Sequence, residues 1–124
     1  MIKGSEIKQY IEANVPVNVY PAFTTDIENT SVVYSISTPK GGHVTSDNVE
    51  LRVIGKDYDE VEGIKQQLID LFSTEKTGIA VVLDRVAFTG TLSGGGFIYH
   101  DDLEIWDITS IFILKTKERN THGK

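Results

Sequence analysis

Hydrophobic positions along this chain recur with two different periods. The change between them falls inside VELRVIGKDYDEVEGIKQQLIDLF, residues 49–72. The first part alternates, with Val49, Leu51 and Val53 on one side and Glu50 and Arg52 on the other, which predicts a strand covered on one face. The second part sets Val61, Ile64, Leu68 and either Leu71 or Phe72 along one stripe at helical spacing. Between them, Asp57 with Glu60 three residues on has the form of a capping box, with Asp in place of Ser or Thr. Asp57, Asp59, Glu60 and Glu62 also place negative charge where the helix dipole favours it. STEKTG ends this helix.

Upstream, Ser5 is the expected cap of a short helix whose Ile7, Tyr10 and Ile11 share a face, stopped by Asn14 and Pro16. VPVNVYP alternates Val15, Val17 and Val19 on one side, a strand pattern bounded by prolines. A polar run, FTTDIENTS, separates it from the strand SVVYSIST, in which Val33 and Ser35 face away from Val32, Tyr34 and Ile36. PKGGH is a turn by composition. Downstream of the long helix, GIAVVLDRVAFTGTL reads as a long strand that bends or breaks around Asp84 and Arg85. SGGGFIYHDDLE reads as a loop or hairpin leading into the closing strand IWDITSIFILKTK. There the run Ile111 to Leu114 is apolar on both faces, as expected of a central or doubly covered strand. Residues 115–124, KTKERNTHGK, read as a frayed, solvated tail. The order of elements predicts one α+β domain over residues 1–124, with two helices packed on a mostly antiparallel sheet.

Composition narrows the function classes. A chain of 124 residues suits one modest core, and 40% hydrophobic with 24% charged residues is ordinary for a globular protein. No apolar run approaches the ~20 residues needed to cross a bilayer, and the N-terminal stretch has no signal-peptide core. The lack of cysteine excludes disulfides, thiolate metal sites and cysteine nucleophiles. Eighteen acidic residues against twelve Lys and Arg give a formal charge of −6, which disfavours gripping a phosphate backbone.

Three stretches carry candidate chemistry. The IGKDYDEVEG turn offers Gly55 and Lys56, but the carboxylates that follow occupy the helix start and repel phosphate, so the reading is a structural cap. Gly94, Gly95 and Gly96 lead into strand rather than helix, so no dipole points at them; they read as a hairpin tip or a subunit-contacting loop. YHDDLEIWD gathers His100, Asp101, Asp102, Glu104 and Asp107. On a strand His100, Asp102 and Glu104 would share one face and could approach a divalent ion. No second His-and-acid motif accompanies them, since His43 lies in a turn and His122 in the tail, so an acidic edge or contact surface is the favoured reading. A Ser–His–Asp set drawn from Ser93 or Ser46 with His100 or His43 lacks a G-x-S-x-G elbow. Phe97, Tyr99 and Trp106 read as core or interface anchors. These residues indicate neither an enzyme nor a cofactor.

The succession SEIKQYIEANV, VPVNVYP, VELRVIGKDYDEVEGIKQQLIDLF, GIAVVLDRVAFTGTL and WDITSIFILKTK resembles the small tail terminator, or tail-completion, proteins of long-tailed bacteriophages. That group includes minor capsid and head–tail joining proteins of prophages. Residues 49–72 match best; SVVYSISTPKGGH departs from the proline-tyrosine segment that members often carry before the third strand. The resemblance implies a structural virion protein assembled in the host bacterial cytoplasm. It implies a homo-oligomer, typically a hexameric ring, at the head-proximal end of the tail. There it would stop the tail tube protein and meet the head connector protein, with DNA passing through unbound and no membrane involved. Gly94, Gly95, Gly96, His100, Asp101, Asp102 and Glu104 are then the candidate interface or lumen-lining residues. The alternatives are another head–tail joining protein (stopper or adaptor), a small acidic domain binding a ligand or metal at the His100 to Glu104 cluster, and a metal-dependent hydrolase using the same cluster.

Overall fold

A computed structural model of the protein describes residues 2–24, 28–37 and 45–119. Helix α1 spans Gly4–Asn14. Its cap is Lys3, not Ser5: the Lys3 N–H donates to the Glu6 carboxylate at 2.7 Å, and the Lys3 carbonyl accepts from Ile7 at 3.1 Å. Glu6, three residues into the turn, does the capping that Ser5 was expected to do. Ile7 and Ile11 are buried, and the half-buried Tyr10 donates its hydroxyl to the Leu71 carbonyl at 2.8 Å.

Six strands follow in one sheet: β1 Asn18–Pro21, β2 Ser31–Ser37, β3 Thr45–Gly55, β4 Val81–Val82, β5 Val86–His100 and β6 Ile105–Glu118, with helix α2 at Tyr58–Phe72 between β3 and β4. The sheet order is β1-β2-β3-β6-β5-β4. Among the described residues only β1 and β2 run parallel, and every other pair is antiparallel. Both helices lie on one face, α1 over β1 and β2, and α2 over β3, β6 and β5. The fold is α+β, a single compact domain, as the order of elements predicted.

Several expectations are met in detail. In β3, Val49, Leu51 and Val53 are buried under α2. Val61, Ile64, Leu68 and Phe72 form the buried stripe of α2, while Leu71 is half-buried. The chain breaks between β4 and β5 at residues 83–85, as the Asp84–Arg85 pair suggested. Strand β6 is central, between β3 and β5. Its helix-facing Phe112 and Leu114 are fully buried, but Ile113 on the other face is 36% exposed, so among the described residues no second layer covers that face there.

Other expectations are corrected. Val15–Val17 form a bend, and the first strand begins only at Asn18. Strand β6 runs to Glu118, so residues 115–118 belong to the sheet rather than to a frayed tail, each paired with β5. The ladder supplies partners for backbone groups that would otherwise need water, and this overrides the polar side chains. The expected turn at 39–43, with His43, and residues 120–124, with His122, lie outside the described residues.

The core centres on an aromatic group. Phe72 of α2 stacks on Phe88 with centroids 5.8 Å apart and meets Phe112 at 5.6 Å, while Tyr10 of α1 stands edge-on to Phe72 at 5.3 Å. The C-terminus of α2 comes so close to β5 that a Cβ on Gly90 would lie 1.9 Å from the Phe72 carbonyl oxygen. No residue but glycine fits that contact.

Candidate assembly surface

Strands β5 and β6 form a long hairpin whose far half carries every candidate residue. The glycine run is not at its tip. Gly94, Gly95 and Gly96 pair in mid-strand with Ile111, Ser110 and Thr109. Ser93 is an extra residue, since Leu92 opposes Phe112 and Gly94 opposes Ile111, the next residue back along β6. At Gly95 a Cβ would meet the Thr109 carbonyl oxygen at 2.3 Å, so this glycine answers a close backbone approach. At Gly94 and Gly96 a Cβ would meet nothing within 4 Å.

Beyond the glycines, Phe97 and Tyr99 turn to the helix side and gather round Trp106. Ring centroids lie 4.7 Å from Tyr99, 4.8 Å from Tyr58 at the start of α2, and 6.2 Å from Phe97. Trp106 is half-buried and anchors the group, as expected. Phe97 stays 67% exposed, and its neighbour Ile98, on the opposite face, 59%. Between the glycine run and the flank of α2 opens a groove of about 390 Å³, lined by Tyr58, Glu62, Lys65, Ile69, Leu92 and Phe97 among others.

The turn itself is residues 101–104, closed by the Leu103 N–H donating to the His100 carbonyl at 3.2 Å. Asp101, Asp102, Leu103 and Glu104 are all exposed. The shared strand face proposed for His100, Asp102 and Glu104 therefore does not exist, because Asp102 and Glu104 belong to the turn. Among the described residues no group of three His, Asp or Glu side chains is placed to hold a metal ion.

His100 instead looks across the sheet face that the helices leave bare. Its Nε2 lies 3.3 Å from Oδ2 of Asp107. Asp107, 3% exposed, is also gripped by Arg52 of β3, whose Nε donates to Oδ1 at 3.1 Å and whose Nη2 donates to Oδ2. Burial pushes the Asp107 carboxyl up, but hydrogen bonds and charge from Arg52 and His100 outweigh it and hold the carboxyl below its ordinary range. The same bond raises the Arg52 guanidinium. Beside this row Val33, Ile54 and Ile105 form a small buried cluster of their own.

The acidic start of α2 is occupied structurally. Asp57 accepts from the Asp59 N–H at 3.0 Å, which is the predicted cap. Glu60 does not close the box; it accepts from the Thr30 hydroxyl, tying the helix to the segment before β2. Lys56 pairs with Glu28 at 3.3 Å and Lys65 with Glu62 at 2.9 Å. The pairing of Gly55 with Trp106 sets this helix start beside the end of the hairpin, so the two acidic groups share one end of the molecule.

No family model matches the chain, and no curated protein matches it in sequence. Among solved structures, a chain of the virion of a native gene transfer agent particle is similar in three dimensions. The TM-score is 0.62 at 15% sequence identity, over 93% of each chain. The protein thus has the fold of a chain in that virion particle.

Proposed function

We propose that this chain is a structural protein of a phage-like particle, and within it a tail terminator. It closes into a six-membered ring on the head-proximal end of the tail tube and offers its other side to the head connector. The observation that carries the reading is the likeness of the whole chain, rather than of a fragment, to a chain of the gene transfer agent virion. The resemblance in element order to terminator proteins supplies the finer assignment. The exposed apolar hairpin supports it further, because Phe97, Ile98 and Leu103 standing in water are a liability to a lone subunit and a resource to an assembled one.

The charge fits a conduit. The hairpin turn and the start of α2 gather Asp57, Asp59, Glu60, Glu62, Asp101, Asp102 and Glu104 at one end of the sheet. On this reading some of them line the lumen or its rim and repel the phosphate backbone, so DNA passes without sticking.

The test adds the purified chain to growing tail tubes and measures tube lengths by electron microscopy, with the mass of the free chain taken by light scattering. Tubes capped at one end by a ring of about six subunits, the size given by the resemblance, are the expected result. Tubes that grow without limit in the presence of the chain, with no density at their ends, overturn the terminator assignment.

A further inference from the structure

The two outer edges of the sheet are finished differently. The β1 edge is four residues long, ends in Pro21 with Pro16 just before it, and has its Val19 carbonyl taken by the Lys8 ammonium at 2.9 Å. Shortness, proline and lysine are devices that stop another strand from adding. The β5 edge is covered only over its first part. Val81 and Val82 pair with Phe88 and Ala87, and Thr74 holds Gly90 both ways, its N–H donating at 2.9 Å and its Oγ1 accepting at 3.1 Å. Past that point no strand lies outside β5 from Thr91 to His100 among the described residues.

Apart from the bulge at Ser93, this open edge lacks the usual protection along its own residues. Thr91 to Tyr99 contain no charged residue and no proline, and Leu92, Phe97, Ile98 and Tyr99 are exposed. Gly94 and Gly96 stand against open space, so nothing within the described molecule demands glycine there. Each weakens a strand relative to alanine. Both glycines lie on the sheet face away from the helices and leave it clear of side chains beside the edge.

We infer that a second copy of the chain completes this edge, its β5 laid antiparallel beside the β5 of the first along residues 91–100. Charge permits this occupant. At −6, two copies repel over most of their surfaces, and the uncharged tract lets them meet without setting like charges together. Both copies use the same edge, so the contact is isologous and a twofold axis crosses the tract. It is distinct from the contacts of a head-to-tail ring, and it describes the free chain before it meets a tube.

The chain has no cysteine, so single cysteines report the contact without background. L92C, G94C, G96C and I98C stand on exposed or open positions that accept the side chain. Under mild oxidation, a disulfide-linked pair is expected at the one or two positions nearest the axis, with the native chain running at twice its monomer mass. S93K puts an ammonium on the edge and is expected to weaken pairing at least about tenfold with an unchanged circular dichroism spectrum. The inference is overturned if none of the four variants cross-links to itself, or if the native chain stays monomeric at its highest soluble concentration. It is equally overturned if S93K pairs as tightly as the native chain. A ring that forms on tubes without self-cross-linking would sink the pairing and leave the terminator reading standing; cross-linked pairs with uncapped tubes would do the reverse.

Discussion

Asp107 is almost closed off from water, yet it is held as a charge, because Arg52 and His100 between them hold both of its oxygens. Removing the charge while keeping the shape isolates that contribution. Asp107→Asn is expected to cost about 1–2 kcal/mol, less than a fully buried pair because the Arg52 side chain is one-third exposed. The pH dependence follows from the direction of the shift. A carboxyl whose folded pKa lies below its unfolded one adds stability that is fully present above the unfolded value near ~4. That stability is lost as pH falls through the folded value. Urea unfolding of the native chain at neutral and acid pH should therefore reveal an acid-side loss that Asp107→Asn lacks. At this scale the sequence was half legible. Alternation put Arg52 on the outward face correctly, but pairing it with Asp107 needs the β3–β6 register, which no local pattern contains. His100 was grouped with Asp102 and Glu104 because a strand was extended through a turn.

Among the elements, α2 and β5 mark the two extremes of legibility. The stripe, the cap and the acidic first turn of α2 all point one way, and the helix forms between the expected ends. Asp57→Ala should lower stability by about 1 kcal/mol, read by thermal unfolding, since it removes the side-chain acceptor of the Asp59 N–H. Strand β5 was hidden by its own composition: three successive glycines signal a turn, and here the ladder to β6 overrides that propensity. The glycines themselves are not equivalent. Gly90→Ala drives a methyl into the Phe72 carbonyl and is expected to cost roughly 3 kcal/mol or more. Gly94→Ala meets open space and should be neutral or gain up to about 0.5 kcal/mol in the monomer. If the two variants melt alike, the close approach of α2 to β5 is wrong.

For the whole molecule, the class of fold and its two helices were legible, and the arrangement of strands was not. Nothing in VPVNVYP or SVVYSIST announces that these neighbours lie parallel, or that the last strand enters between the third and fifth. Long-range pairing settles such choices, and among the described residues it leaves one sheet face uncovered and one edge unfinished. If the chain assembles as proposed, that is the scale at which the remaining acids matter. If Asp101, Asp102 and Glu104 line a DNA conduit, replacing all three by Asn or Gln should slow ejection from particles that otherwise assemble normally. Unchanged ejection kinetics would remove these residues from the lumen.

Ser93, the surplus residue in β5, has a consequence for how this chain tolerates changes of length. It absorbs one step of the strand without using it, and everything from Gly94 onward keeps its side of the sheet. A chain lacking Ser93 would run straight from Leu92 opposite Phe112 to Gly94 opposite Ile111 and leave Phe97 and Tyr99 beside Trp106. One extra residue placed three positions later has no such slack, and would swing Ile98 under the helix and both aromatic rings out to the bare face. Ser93 is a shim, and the hairpin beyond it can lose a residue there more safely than it can gain one anywhere else.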